Sequence, residues 1–298
     1  MAAMRRGDFA AAWRASDEVL RAHAGVPCWH LPRHEQWVWD GTPLDGKRVL
    51  VRCYHGLGDT LQFIRYAPLV HRIAAQVTVW AQPALIPLLR TADGIGRLLP
   101  LHDGACEAEY DVDVEVMELA HVFRSTADTL PAGVPYLHAD PAPLGRDGRL
   151  RVGIVWRSGD WDDRRSIPFP LLAPLAEIPG VALHVLQRGA GREEADGFGV
   201  DSGSDDVAEC ARVMKALDLV VTVDSMPAHL AGALGVPVWA LLHADADWRW
   251  MEGREDSPWY PTMRLLRQPS AGEWAPVIAR VAAGLREMAE RRETETRR

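Results

Sequence analysis

Apolar runs alternate with amphipathic stretches twice in this chain, once on each side of a linker rich in proline and glycine at residues 131–148. In the first half, residues 48–54 (RVLVRCY) read as a strand, HGLGD as a tight loop and 60–73 as an amphipathic helix. A strand at 77–80, a helix at 83–90 and short strands at 98–101 and 110–116 follow. The second half restarts with a strand at 150–156 (LRVGIVW), then helix 171–177, strand 181–187, helix 206–216 and strand 217–223. Helix 228–234, strand 236–242 and a long closing helix at 273–290 complete it. Strands that alternate with helices pair in parallel, because each crossover helix returns the chain to the same edge. The pattern predicts an α/β chain of two Rossmann-like domains facing across a cleft, at 44–140 and 149–272. A helical and extended segment at 1–43 precedes them, and the closing helix occupies 273–298.

The N-terminal segment has its own pattern. Phe9, Ala12, Trp13, Ser16, Val19 and Leu20 recur at helical spacing, with Asp8 as the candidate cap. No second copy follows at a period of about 34 residues, which excludes a helical solenoid. Residues 26–43 hold Pro27, Pro32 and Pro43 with Trp29, Trp37 and Trp39, and read as an extended stretch pinned by aromatic contacts.

Charge narrows the partners. A formal net charge of -8 argues against bulk attraction to nucleic acid or an anionic membrane. The most apolar stretch, 217–242, is broken by Asp224, His229 and two prolines, so no integral membrane segment is expected. The start of the chain has no convincing cleavage pattern, and the tail RRETETRR reads as a solvated helix end. Cys28, Cys53, Cys106 and Cys210 lie far apart with no CxxC spacing, so neither disulfides nor a zinc site is signalled. A reduced, cytoplasmic setting fits.

Ligands of open parallel sheets gather where strands end and loops enter helices. Three such junctions stand out. In the first, Gly56 and Gly58 allow a sharp turn and close approach to a ligand, and Asp59 stands where the helix begins. Asp59 is then either a helix cap or a carboxylate facing the cleft. No third glycine completes a dinucleotide fingerprint. In the second, a strand ends at Asp224 and a helix follows at once, so its N–H groups and dipole suit a diphosphate. Ser225 adds a hydroxyl and His229 follows one turn later; the alternative is a cap and a core histidine. Pro227 offers no N–H there. In the third, Trp156-Arg157-Ser158-Gly159-Asp160-Trp161 leads to Arg164 and Arg165, guanidinium groups suited to phosphate unless the loop is simply solvated. A fourth cluster, 247–260, interleaves aromatic, acidic and arginine side chains, as both sugar pockets and rigid Trp-rich loops do.

Together, RCYHGLGDTLQFIRYAP, RVGIVW, VTVDSMPAHLAGALGVPVWALL and DWRWMEGREDSPWYPTMRL resemble the glycosyltransferase domain attached to bacterial tetratricopeptide-repeat proteins. That domain is similar to the ADP-heptose:lipopolysaccharide heptosyltransferases, of GT-B fold. The resemblance covers about residues 43–285, and residues 8–20 resemble a remnant of a last repeat helix. It implies that Asp59 is the catalytic base, withdrawing a proton from the acceptor hydroxyl. It makes Asp224, Ser225 and His229 donor contacts, with Met226 standing where the family has glycine. It places Arg157, Ser158, Arg164, Arg165, Gln187 and Arg188 around the donor diphosphate. It implies neither metal nor cofactor.

The resulting expectation is a metal-independent glycosyltransferase acting on a nucleotide sugar and a glycan or protein acceptor. A non-catalytic GT-B scaffold or nucleotide sensor is the competing reading, motivated by Met226 and Pro227. A nucleotide-sugar epimerase is a third. The base of the nucleotide, the acceptor and the oligomeric state stay open at this level.

Overall fold

β-Branched and aliphatic runs pair in parallel throughout the chain, and they form two sheets. The computed structural model describes residues 2–145, 147–159 and 162–296. Asp160 and Trp161 of the arginine-bearing loop, and Arg297 and Arg298 of the tail, lie outside the described residues. The chain divides into two compact units. One comprises Met1–His138 together with Trp248–Glu252, the other Ala139–Asp247 with Gly253–Arg298.

The first unit carries a four-stranded parallel sheet in the order β3-β2-β1-β4, built from β1 (Arg48–Arg52), β2 (Gln76–Ala81), β3 (Arg97–Pro100) and β4 (Val112–Glu115). Val49, Leu50 and Val51 on β1 are almost completely buried, as expected for a central strand covered on both faces. The N-terminal helix α1 (Phe9–His23) starts where the sequence predicts, and the Asp8 carboxylate accepts the Ala11 N–H at 3.0 Å. Phe9 and Trp13 on its inner face are buried, each contributing about 1.5–3 kcal/mol of apolar burial.

The predicted helix at 60–73 is a correction. Helix α2 (Leu57–Phe63) begins three residues earlier, a 3-10 turn at Ile64–Tyr66 interrupts it, and α3 (Ala67–Ile73) resumes. The early start follows from a capping box in which Gly56 N–H donates to the Asp59 Oδ2 at 2.9 Å. The break follows from Pro68 in the first turn of α3, which has no N–H to continue the ladder. The stretches at 83–90 and 171–177, expected as helices, each split into a 3-10 turn and one helical turn, with prolines at both positions of entry.

The second unit has six parallel strands in the order β10-β9-β8-β5-β6-β7. They are β5 (Leu150–Val155), β6 (Val181–Val185), β7 (Val200–Asp201), β8 (Leu219–Val223), β9 (Val238–Leu242) and β10 (Met263–Arg267). Helix α4 (Val207–Lys215) is capped by Asp206, α5 (Met226–Ala233) follows β8, and α6 (Trp274–Thr296) closes the chain. Strands β7 and β10 are additions to the sequence reading. Among the described residues no helix is long and apolar enough to cross a membrane. All four cysteines are free thiols.

Candidate active site

In the second unit, β5 lies between β6 and β8, so the chain turns in opposite directions along the sheet on leaving β5. Such a reversal opens a crevice at the carboxyl ends of the strands. There the sequence has Trp156-Arg157-Ser158 after β5, Leu186-Gln187-Arg188 after β6 and Asp224-Ser225 after β8. Parallel pairing therefore brings together three predicted segments that are far apart in sequence.

Arg165 ties two of them. Its guanidinium donates to the Asp224 backbone carbonyl at 3.2 Å, while its Nε lies 3.8 Å from Asp162. Asp224 is buried, and Ser225 occupies the N-cap position of α5 in extended backbone. The Ser225 hydroxyl does not cap the helix; it donates to the Val223 carbonyl at 3.3 Å. Arg164 is two-thirds exposed and paired with Asp162 at 2.8 Å, which holds the Asp162 carboxyl down at about 2. The Ser158 hydroxyl donates to the Asp162 carbonyl at 3.1 Å, and its N–H to the Ser166 hydroxyl at 3.3 Å. The loop is therefore folded upon itself as well as charged.

Gln187 has a different job from the expected ligand contact. Its Oε1 accepts the N–H groups of Trp156 and Arg157, and its Nε2 donates to the carbonyls of Arg188 and Ala190. Two donors and two acceptor bonds use up a buried amide. Gln187 thus shapes the loops that present Arg157 and Arg188. The Arg157 side chain lies over Gly191, whose φ of +85° and lack of Cβ make room for it, and reaches Glu194 at 3.8 Å. Arg188 pairs with Asp201 at 3.2 Å and donates to the Gly203 carbonyl. His229 is buried in α5, with Nδ1 3.0 Å from the Tyr260 hydroxyl, the hydrogen bond of a core histidine.

His243, at the end of β9, is a residue the sequence reading missed. Burial pushes its pKa down, and Arg164 and Arg165 add to this. Its signal was available: a histidine directly after an apolar strand, at the same sheet edge.

The first unit holds the other candidate. Asp59 is the third residue of α2, and its carboxylate both closes the capping box and pairs with the Arg249 guanidinium. Neither Gly56, at φ −68°, nor Gly58 adopts a left-handed conformation, so the tight turn from β1 into α2 does not draw on that freedom of glycine. What Gly56 supplies is space: a Cβ there would stand 3.2 Å from the Asp59 Oδ2. Arg249 lies over the rings of Trp248 and Phe63, at 5.1 and 5.8 Å from their centroids. Within the 247–260 cluster, Trp250, Trp259 and Tyr260 are fully buried, so most of its aromatic content is packing.

Near Asp59 burial shifts the titration of several groups. Burial pushes His55 below its usual range, against the pull of Asp59. Burial also pushes Glu115, at the end of β4, up to about 8 and Glu118 up to about 7. Glu115 accepts the Met117 N–H at 2.7 Å and the Tyr54 N–H at 3.3 Å. Glu118 accepts those of Val38, Trp39 and Glu115 and so holds the extended N-terminal segment to the unit. Among the described residues, no group of three or more His, Cys, Asp or Glu side chains could hold a metal ion.

Residues 203–262 match the sequence model of Glycosyltransferase family 9 (heptosyltransferase). Protein FlbA of Caulobacter vibrioides is 28% identical over 295 residues, covering 84% of this chain and 48% of its own length. The chain thus spans about half the length of this curated relative. Among solved structures, the E. coli ADP-heptose lipopolysaccharide heptosyltransferase II superimposes with a TM-score of 0.61 at 14% identity, over 83% of this chain and 99% of that one. The iron-containing dodecameric glycosyltransferase TibC from enterotoxigenic E. coli gives 0.55 at 12% identity, over 84% and 78%. The α/β fold with two parallel sheets is the fold of these glycosyltransferases, and the matched family segment contains Asp224, Ser225 and His229.

Proposed function

We propose that the chain is a glycosyltransferase that moves a sugar from a nucleotide-sugar donor to an acceptor hydroxyl. The observation that carries this is the carboxyl edge of the six-stranded sheet, where Arg165 reaches Asp224, which with Ser225 lies inside the segment matched to family 9. The donor diphosphate is assigned to that edge, within 149–272, where the first turn of α5 offers N–H groups and a positive dipole end. Arg157, Arg164 and Arg188 supply further positive charge, and the departing nucleotide is stabilised by these groups in our reading. Asp59, within 44–140, is assigned as the general base that takes the acceptor proton as the hydroxyl attacks the anomeric carbon. The acceptor is a glycan or a protein side chain, and α1 is read as the end of a repeat segment.

The second reading is a nucleotide-binding scaffold without turnover, favoured by Pro227 in the first turn of α5, which removes one phosphate donor. One experiment separates the two. A thermal-shift screen of ADP, UDP, GDP, CMP and their sugar conjugates is run with the native chain and with Asp224→Ala, followed by slow donor hydrolysis. Binding of one nucleotide, weakened by the substitution and accompanied by release of free sugar, supports the transferase. Binding without hydrolysis or transfer supports the scaffold, and no binding at millimolar concentration overturns both.

A further inference from the structure

The first unit contains a cavity of about 430 Å³ between α1, the extended segment and the ends of β1 and β4. The size is that of a small-ligand pocket. Four indole rings are part of its wall, those of Trp13, Trp37, Trp39 and Trp248. The N–H groups of Trp13 and Trp39 are spent on the carbonyls of Ser125 and Thr42, at 2.7 and 2.9 Å. These two indoles therefore line the cavity as apolar surface, their polar edges being satisfied elsewhere.

The polar side chains of the wall are those of Ser16, His23, Gln36, His55, Glu115, Glu118 and His121. Glu115 is buried, and two of its four or so acceptor sites are taken by backbone N–H groups. The Ser16 hydroxyl projects from α1. No lysine or arginine is among the described residues that line the cavity. Glu115 keeps its proton up to about 8 and Glu118 up to about 7, and burial pushes His55 and His121 toward the neutral form, so at neutral pH the wall offers at most a partial negative charge. An anionic ligand would enter without a counter-charge, at a large desolvation cost. A purely apolar ligand would leave the polar groups unpaired. Hydroxyls that both donate and accept, on a ring with apolar C–H faces, meet both requirements.

We infer that this cavity binds an uncharged pyranose, its C–H faces against the indoles and its hydroxyls on Glu115 and Ser16. His55, Glu115 and Trp248 line the cavity; His55 lies four sequence positions before Asp59, and Trp248 directly precedes Arg249. The sugar bound there is a neutral part of the acceptor, an assignment that rests on the transferase reading, whereas its binding does not. The specificity follows from the wall: neutral glycans are accepted, and acceptors bearing phosphate or carboxylate at this position are rejected.

The test is a saturation-transfer NMR titration of the intact chain with methyl glucoside, methyl galactoside and methyl mannoside. The corresponding 6-phosphates and 2-amino sugars are titrated in parallel. Expected is saturable binding of a neutral glycoside, with its phosphate at least about tenfold weaker. Ser16→Trp, which fills the cavity, abolishes this binding. Trp37→Ala, which removes one wall, weakens it severalfold and decides the matter if Ser16→Trp fails to fold. The proposal is overturned if no neutral glycoside binds, if the phosphate or amino sugar binds as tightly, or if binding survives both substitutions. Nucleotide titration of the same native sample separates the two claims. Nucleotide binding without glycoside binding sinks the cavity proposal alone; glycoside binding without nucleotide binding sinks the transferase reading alone.

Discussion

Arg249 and Asp59 stand 190 positions apart in sequence and form an ion pair inside the first unit. Both side chains are mostly buried, so the pair acts in a medium of lower polarity than water. The Asp59 Oδ2 is fixed by the Gly56 N–H and the Oδ1 by Arg249, which sets the carboxylate plane. The segment that carries Arg249 is itself anchored at the start of the chain. Glu252 N–H donates to the Arg5 carbonyl at 2.8 Å, and Met4 is buried. The N-terminal residues therefore reach the proposed base through Arg249.

If Asp59 is the base, Asp59→Asn lowers kcat by about 10²-fold or more and leaves nucleotide affinity within about twofold. Arg249→Ala lowers kcat by about tenfold or more through a freed carboxylate, with the donor KM unchanged. Steady-state kinetics and nucleotide titration on the three proteins check this. Equal losses in turnover and donor binding would refute the assignment of Asp59.

The pair shows what the sequence could and could not reveal. Strands β1, β5, β8 and β9 were legible because each holds a nonpolar run of three or more residues, at 49–51, 152–155, 219–221 and 238–242, the mark of a strand covered on both faces. Strand β10 was hidden because Arg264 and Arg267 interrupt its apolar residues and it lies at the sheet edge. Gly-Leu-Gly reads as a loop, yet its backbone is helical from Leu57, since the signal for the start is the reciprocal bond between Gly56 and Asp59. Asp59, Asp224 and the arginines could be picked out by their place after strands. Their partners could not: no spacing rule links residue 59 to 249, and the role of Gln187 depends on β5 and β6 being neighbours.

The arginines of the loop after β5, assigned above to the donor diphosphate, should differ in weight. Arg165 is three-quarters buried and joins the loop to Asp224, whereas Arg164 is two-thirds exposed and paired with a neighbour. Arg165→Ala is expected to weaken nucleotide binding about tenfold, by losing a charge-assisted bond and the loop's position. Arg164→Ala should change it less than about threefold, because exposed pairs contribute little. Calorimetric titration of both variants checks the order, and a larger effect for Arg164 would show that the loop rearranges around the donor.

Stability should fall on the alkaline side of neutrality. Glu115 in the native chain keeps its proton up to about 8 and Glu118 up to about 7, while both lose it near 4.5 when unfolded. Between those limits the native state holds protons that the unfolded state lacks, so stability declines as pH rises. His55, His121, His184 and His243 act oppositely, since burial lowers their pKa values and stability rises through about 6.5 as they are released. The two effects oppose each other below pH 7, and the carboxyls act alone above it. The melting temperature is expected to drop between about pH 7 and 8.5, and Glu115→Gln should flatten the drop while its amide oxygen keeps one of the two backbone N–H bonds. An unchanged slope in the variant would show that Glu115 is ionised in the native chain.

Gly232 offers a test of the packing behind α5. It lies inside α5, where replacing glycine by alanine ordinarily stabilises a helix by about 1 kcal/mol. A Cβ at this position would meet the Tyr260 ring at 2.5 Å, and Tyr260 is completely buried with its hydroxyl on His229. The ring has nowhere to move, so overpacking should win over propensity. Gly232→Ala is expected to lower stability by about 1–3 kcal/mol. Gly133→Ala serves as the control, because its Cβ would enter open space at an ordinary φ, and a change within about 0.5 kcal/mol is expected there. Denaturant unfolding of both variants gives the comparison. Stabilisation by Gly232→Ala would mean that α5 stands farther from Tyr260, and the His229 bond would then have to lengthen as well.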